Sequence, residues 1–287
     1  MHNAGTISVV IPSKNEAQSL RDLIPKLKAL LPSAEIIVVN DGSTDDTAST
    51  CLEQKIPIVS NPYNMGNGAA VKIGARQATG DILVFLDADG QHNPEDIPRL
   101  LNKLHEGYDM VVGARTYGSQ AGTHRALANG VYNKLASWMV GHEIKDLTSG
   151  MRVVRTEKFR RFLYLLPNGF SYPTTITMSF FRAGFSVAYV PITTHKRIGK
   201  SHLRIGRDGL RFLLIIFKIG TLYSPLKLFL PISLVFFLTG LGYYLYTFLT
   251  MHRFTNMSAL LMITSVLIFL IGLISEQISS LNYKNSE

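Results

Sequence analysis

Two stretches near the end of this chain, Leu228–Leu249 and Phe254–Ser275, hold no charged side chain. A bilayer core takes about 20 apolar residues as a helix, so each stretch is long enough to span. Only Thr250–Arg253 separates them, which predicts a tight transmembrane hairpin. A helical pair buried in a water-soluble core is the alternative, but soluble helices of that length rarely lack a charge. Pro231, Gly240 and Gly242 fall in the first run, where lipid-embedded helices tolerate them. Gly240 and Gly242 also allow self-association through close helix contact.

Charge is confined to the other part of the chain. The net charge is +9, from 29 Lys+Arg against 20 Asp+Glu, yet beyond Leu226 only Lys227, Arg253 and Lys284 are basic and only Glu276 and Glu287 acidic. Residues 195–218 carry Lys196, Arg197, Lys200, Arg204, Arg207, Arg211 and Lys218 against Asp208 alone. The positive-inside rule therefore expects both termini in the cytoplasm of a multi-pass inner-membrane protein. Ile205–Ile219 mixes basic with apolar residues and reads as a helix lying in the interface; a cytosolic packing helix is the plainer alternative. The first dozen residues lack a secretory apolar core, so the first 200 are expected to stay cytosolic. The lone Cys51 forms no internal disulfide and is compatible with a reducing compartment. A composition of 46% hydrophobic and 17% charged residues excludes a disordered chain, since globular domains average about 25% charged.

The soluble part alternates short apolar runs with helical periodicity. Ile7–Ile11, Glu35–Val39, Ile58–Val59, Ile82–Leu86 and Met110–Val112 read as strands. Ala17–Leu31, Thr44–Leu52, Gly68–Ala78 and Pro94–His105 read as helices, the second capped by Ser43 or Thr44. This βαβα order predicts an α/β fold on an open, mostly parallel sheet. Ligands of such sheets bind beyond the carboxyl ends of the strands. That directs attention to Pro12–Glu16, Asn40–Thr44 and Asp87–Gln91.

Asp87-Ala88-Asp89-Gly90-Gln91 follows a fully apolar strand. Two carboxylates at i and i+2 with an amide beyond them suit a hard cation that takes one or two carboxylates and leaves the rest of its shell to substrate phosphates. A solvated turn has the same composition. Asp41, at the end of another strand, is placed to receive hydrogen bonds from a nucleoside, although Gly42 and Ser43 equally suit an ordinary strand–turn–helix. Pro12 ends strand pairing in this reading, and Glu16 reaches a ligand or merely enters a helix. Asn64–Ala70 lacks the spacing of a dinucleotide fingerprint or a Walker loop and reads as a tight helix entry.

Taken together, IPSKNE, VNDGSTDDT, NMGNGAAVKIGAR and FLDADGQHNPEDIP resemble, in order and spacing, the family 2 glycosyltransferases of GT-A fold. Within that family the chain is similar to the polyprenyl-phosphate sugar synthases, the group of dolichol-phosphate mannose synthase and its undecaprenyl-phosphate relatives. The resemblance implies a nucleoside pocket at Pro12, Lys14, Glu16, Val39 and Asp41. It implies a donor diphosphate and metal site at Asp87, Ala88, Asp89 and Gln91, with Asp89 and Gln91 as ligands of Mg²⁺ or Mn²⁺. Arg115 resembles an arginine serving donor and acceptor phosphates, and Arg125 and Asn129 stand where the lipid phosphate is held. Arg197 and His202 correspond to a segment that closes over the donor, with Lys200 nearby. Asp146, in Asp146-Leu147-Thr148-Ser149-Gly150, matches a recurring acidic segment, either as a base candidate or as an ion pair with Arg152 that shapes the site.

The activity so implied is inverting transfer of a hexose from GDP-mannose or a UDP-sugar to dolichyl or undecaprenyl phosphate. A lipid monophosphate, with a second pKa near 6, is already ionised at neutral pH and needs no strong base. The expected organisation is a catalytic domain over 1–200, an amphipathic segment over 201–225, the hairpin over 226–281 and a cytoplasmic tail over 282–287. Two other readings share parts of this pattern. A processive polysaccharide synthase has similar front motifs, but no Gln-x-x-Arg-Trp precedes the single Trp138, and two spans make a poor pore. A membrane-tethered adaptor fits the basic charge, but acids at strand ends repel phosphates unless a cation intervenes; nucleic acid is not an expected partner.

Overall fold

The computed structural model describes residues 5–116, 123–169, 171–194, 214, 217, 220–221 and 224–284, with backbone only at 123–129 and 282–284. They divide into two compact units, one within Met1–Trp138 and His142–Leu213, the other within Met139–Gly141 and Leu214–Glu287.

The first unit is built on seven strands: β1 (Ile7–Ser13), β2 (Glu35–Asn40), β3 (Ile58–Ser60), β4 (Ile82–Phe85), β5 (Met110–Arg115), β6 (Arg152–Arg155) and β7 (Val187–Ile192). Between them run α1 (Ala17–Leu30), α2 (Thr47–Glu53), α3 (Asn67–Gln77), α4 (Ile97–His105), α5 (Thr123–Val140), α6 (Thr156–Arg160) and α7 (Tyr172–Arg182). The strand order is β3-β2-β1-β4-β6-β5-β7. All neighbours are parallel except those of β6, which runs antiparallel to both β4 and β5. Strand side chains alternate between faces. Val9 and Ile11 pack with Leu20, Ile24 and Leu27 of α1 and Leu100 of α4, while Val10 packs with Val71 of α3 and Phe159, Ile176 and Phe180 beyond β6. Each such fully buried side chain contributes about 1.5–3 kcal/mol, so both faces of the sheet are anchored.

Three expectations change. Pro12 ends pairing on one side only: the register with β4 stops at Val10, while towards β2 Pro12 lies opposite Val39 and β1 continues to Ser13 opposite Asn40. The Val10 carbonyl accepts from Leu86 N–H on the β4 side and the Ser13 carbonyl from Asp41 N–H on the β2 side. By alternation Pro12 faces β4, and because it has no N–H the next rung of that ladder, to the Leu86 carbonyl, is not made. Helix α2 starts at Thr47, with Asp46 as its N-cap, because Ser43 and Thr44 are bonded elsewhere. The segment read as one helix from Pro94 opens with a 3₁₀ turn, Pro94–Asp96, before α4.

The second unit contains α8 (Pro225–Met251) and α9 (Asn256–Lys284). Both helices are long and apolar enough to cross a membrane. Leu234, Val235, Leu249, Leu260, Ile263 and Leu267 are exposed, which a pair buried in a soluble core would not show. Along their shared seam, Ser233 Oγ donates to Ser265 O at 2.9 Å. A Cβ on Gly240 would stand 3.0 Å from Leu261 Cβ, and one on Gly272 2.7 Å from Phe229 Cβ. Glu276 accepts from Leu226 N–H at 3.2 Å, satisfying one of the open amides of the first turn of α8.

Candidate active site

The loops that leave β1 and β2 are locked together. Asn15, held at φ 55°, donates its N–H to Ser43 Oγ at 2.9 Å and accepts Thr44 N–H on Oδ1 at 2.8 Å. Ala17 N–H and Glu16 N–H donate to Asp45 Oδ2 and Thr47 Oγ1 at 3.2 and 3.1 Å. Pro12 and Val39 form the buried floor as direct register partners, Lys14 is exposed, and Glu16 is half-buried at the mouth of α1.

Asp41 is 4% exposed. Its Oδ1 accepts Asn61 Nδ2 at 2.8 Å and Met65 N–H at 2.7 Å, and its Oδ2 accepts Gly66 N–H at 2.8 Å. Most of its acceptor capacity therefore fixes the Asn61–Gly66 loop, with lone-pair capacity left on Oδ2. Gly42 is required there: its φ is +66°, and a Cβ would lie 2.7 Å from Tyr63 C. The first amides of α3 go to protein, since Gly68 and Ala69 N–H donate to the carbonyls of Gly169 and Asn168. This matches the reading of Asn64–Ala70 as a packed helix entry rather than a phosphate cradle.

Asp87, Ala88, Asp89 and Gln91 leave the carboxyl end of β4. Ala88 is buried, and Asp87, Asp89 and Gln91 are half-buried. Gln91 N–H donates to Asp89 Oδ1 at 3.2 Å across Gly90, which adopts φ +71°. Asp87 lies against Gly150, where any Cβ would collide with its Oδ2. The loop offers only oxygen donors, and among the described residues no three His, Cys, Asp or Glu side chains are grouped to hold a metal alone. This donor set fits a Mg²⁺- or Mn²⁺-type ion that shares its shell with a ligand's phosphates.

Arg115, at the end of β5, meets Asp146 through a bidentate pair: Nε to Oδ2 at 2.8 Å and Nη2 to Oδ1 at 2.9 Å. Nη2 also donates to Thr148 Oγ1 at 2.5 Å. Asp146 further accepts the backbone N–H groups of Arg115, Thr148 and Ser149, each at 3.1 Å. Burial alone raises its pKa, but Arg115 and these amides outweigh it and hold the carboxyl below its ordinary value. Burial likewise works against the Arg115 charge, and Asp146 more than restores it. A carboxylate so saturated with donors is a poor proton acceptor; its geometry orients Arg115. Its ion-pair partner is Arg115 rather than Arg152, whose guanidinium bonds neutral acceptors instead.

His92 was not singled out from the sequence, although it directly follows Gln91. It is buried, its backbone bridges to Thr194, and its Nδ1 lacks a hydrogen-bond partner among the described residues. Burial pushes its pKa down to about 4, with Arg115 adding and Asp89, Asp146 and Asp96 opposing, so the imidazole is neutral at pH 7. The structure thus brings Asp87, Asp89, His92, Arg115 and Asp146 into one electrostatic neighbourhood. Arg125 and Asn129 lie on α5, but their side chains are outside the described residues, as are Arg197, Lys200, His202 and nearly all of 205–219.

Comparison with known proteins agrees with this layout. Residues 8–163 match the model of glycosyl transferase family 2, and residues 224–281 match the GtrB C-terminal hairpin. Among solved structures, glucosyl-3-phosphoglycerate synthase from Mycobacterium tuberculosis with Mn²⁺ and UDP-glucose is 23% identical, with TM-score 0.62 over 75% of this chain and 79% of that one. The same synthase with phosphoglyceric acid gives 22% and 0.63 over 75% and 80%. Its complex with Mn²⁺, UDP and glucosyl-3-phosphoglycerate gives 24% and 0.61 over 74% and 80%. The seven-stranded sheet, the acidic loop at the end of β4 and the family match over more than half the chain lead to one conclusion: this chain belongs to glycosyltransferase family 2, with a GT-A domain followed by a GtrB-type hairpin.

Proposed function

We propose that the chain transfers a hexose, with inversion, from a nucleoside diphosphate sugar to a polyprenyl phosphate. The observation that carries this reading is the half-buried Asp87–Gln91 loop beside Arg115 in a family 2 domain that precedes an apolar hairpin. Asp89 and Gln91 would hold Mg²⁺ or Mn²⁺, which when bound would supply positive charge beside the diphosphate. That glucosyl-3-phosphoglycerate synthase, a structural neighbour, was solved with Mn²⁺ and UDP-glucose supports a divalent ion beside a nucleoside diphosphate sugar. Pro12, Val39 and Asp41 border the nucleoside. Arg115, oriented by Asp146, places a fixed guanidinium for phosphate oxygens, and Arg125 and Asn129 on α5 serve the acceptor phosphate.

The acceptor acts as its own nucleophile, since a monophosphate is ionised near neutral pH. Asp146 fits that chemistry, because it is saturated by donors and no proton needs to be taken. Catalysis then rests on positioning and on charge stabilisation. In this reading residues 1–200 form a cytoplasmic catalytic domain, 201–225 lie at the interface and 226–281 anchor the chain, with both ends cytoplasmic. The lipid tail of the acceptor stays in the bilayer while its phosphate enters the site.

A panel of GDP- and UDP-sugars offered with dolichyl and undecaprenyl phosphate, scored by the mass of the lipid product, tests the proposal. One added hexose per lipid is expected. A polymer indicates the processive reading, and no lipid product with any donor contradicts transfer to a polyprenyl phosphate.

A further inference from the structure

Arg152 opens β6 and has no exposed surface. It lies opposite Phe85 in the last register pair of the antiparallel ladder, and just past the strands Asp87 lies against Gly150. Directly opposed residues of an antiparallel pair share a face, and so do residues two apart on one strand. Asp87 follows the strand partner of Arg152 by two residues and is close enough to favour the Arg152 charge. Asp87 stands at the rim against Gly150, and Arg152 is one step deeper.

The hydrogen-bond acceptors around Arg152 are all neutral. Nη2 donates to Ser149 O at 2.5 Å, and Nη1 to Pro173 O and Thr177 Oγ1 at 3.3 Å each. Nε has no acceptor among the described residues, and the guanidinium lies 5.7 Å from the Tyr172 ring centroid. Burial disfavours its charge, while Asp146 and Asp87 favour it. A guanidinium stays protonated even so. A buried charge bonded only to neutral acceptors is costly to desolvate, so stability alone does not account for a charge in this place. Charges in a low-dielectric interior act more strongly than at the surface.

We propose that Arg152 is a positioning residue of the transferase, a buried fixed positive charge behind the Asp87–Gln91 loop that selects the donor's diphosphate. The proposal rests on the reading of that loop as the diphosphate site. A nucleoside diphosphate places more negative charge at the loop than the monophosphate does, whereas both fill the same nucleoside pocket. Removing the Arg152 charge weakens the first and spares the second.

The test uses the full chain in detergent with Mn²⁺ and measures the affinity of UDP against UMP, and of GDP against GMP, together with thermal stability. In Arg152→Met the diphosphate is expected to weaken about tenfold and the monophosphate to stay within about twofold, while the melting temperature falls modestly because buried acceptors lose their donor. Arg152→Gln keeps donors for Ser149 O and Thr177 Oγ1 and carries the same expectation if Arg152→Met does not fold. Arg152→Lys retains the charge and is expected to hold the diphosphate preference to within about threefold. An unchanged diphosphate preference in the two neutral variants overturns the proposal. So does a parallel loss of both nucleotides in step with the melting temperature, or loss of the preference in Arg152→Lys. If wild type binds neither diphosphate, the reading of the loop itself fails, and the role of Arg152 falls with it.

Discussion

Arg115 and Asp146, 31 residues apart, meet through two hydrogen bonds of 2.8 and 2.9 Å, and Asp146 adds the backbone N–H of Arg115 to the same carboxylate. The loop after α5 is thereby fastened to the end of β5, and the guanidinium has one orientation. Truncating one member of a buried pair leaves the other uncompensated, at a cost of about 3–5 kcal/mol. Asp146→Ala is expected to lose stability on that scale. A double-mutant cycle of Asp146→Asn and Arg115→Lys should show coupling above about 1 kcal/mol in both stability and transfer rate. Additive effects on the rate contradict the positioning role.

Gly150 leaves room for the Asp87 carboxylate, whose atoms are the nearest obstacles to a Cβ there. Gly150→Ala should therefore fold but displace Asp87. A fall in kcat/KM of about 100-fold is expected, with a change in melting temperature of only a few degrees. Steady-state kinetics beside a thermal melt check this, and retained activity shows that the position of Asp87 is unimportant.

Asp109 holds the far end of the sheet. Burial opposes its charge, but Lys158 and the N–H and hydroxyl of Ser186 outweigh that and lower its pKa. A depressed carboxylate stabilises the fold above its unfolded value near 3.8, and the contribution is lost as pH falls through the native value. Asp109→Asn should be about 1–2 kcal/mol less stable at pH 7, with the gap closing below about pH 4. Chemical unfolding of both proteins across pH 3–7 reads the difference; a gap independent of pH excludes the ion pair as its source.

In the hairpin, two glycines of one helix pair should behave differently. Gly272 faces Phe229 at a distance that leaves no space for a Cβ, whereas nothing lies within 4 Å of a Cβ on Gly242. Gly272→Val is expected to cost about 1–3 kcal/mol by overpacking, and Gly242→Ala to be near neutral or slightly stabilising. Thermal inactivation in detergent distinguishes them, and equal sensitivity contradicts this seam.

The parts of the fold that were legible in the sequence are those where local pattern and tertiary role coincide. Ile36–Val39 and Ile82–Phe85 are apolar runs buried on both faces, and the loops that follow them hold the acidic motifs. Legibility failed where polar residues are buried. Helix α7 carries Thr174, Thr175, Thr177 and Ser179, a turn-like or strand-like composition. Their burial is possible because Thr175, Thr177 and Ser179 return their hydroxyls to carbonyls four residues earlier. Strand β6 begins with a buried arginine, which hides it from an apolar pattern, and its antiparallel course has no local signature. The Asp146–Arg115 pair and the Asp41 anchor of the Asn61–Gly66 loop depend on contacts across 20 to 31 residues, so no spacing rule reveals them.

The central claim is that a divalent ion on Asp89 and Gln91 joins the chain to a sugar donor's diphosphate. Transfer from the preferred nucleotide sugar to undecaprenyl phosphate, measured for wild type and Asp89→Ala with Mn²⁺ or with chelator, tests it most directly. The account predicts one hexose per lipid from wild type with metal, and loss of at least about 100-fold with chelator or in Asp89→Ala. Undiminished transfer by Asp89→Ala in the presence of chelator would contradict it.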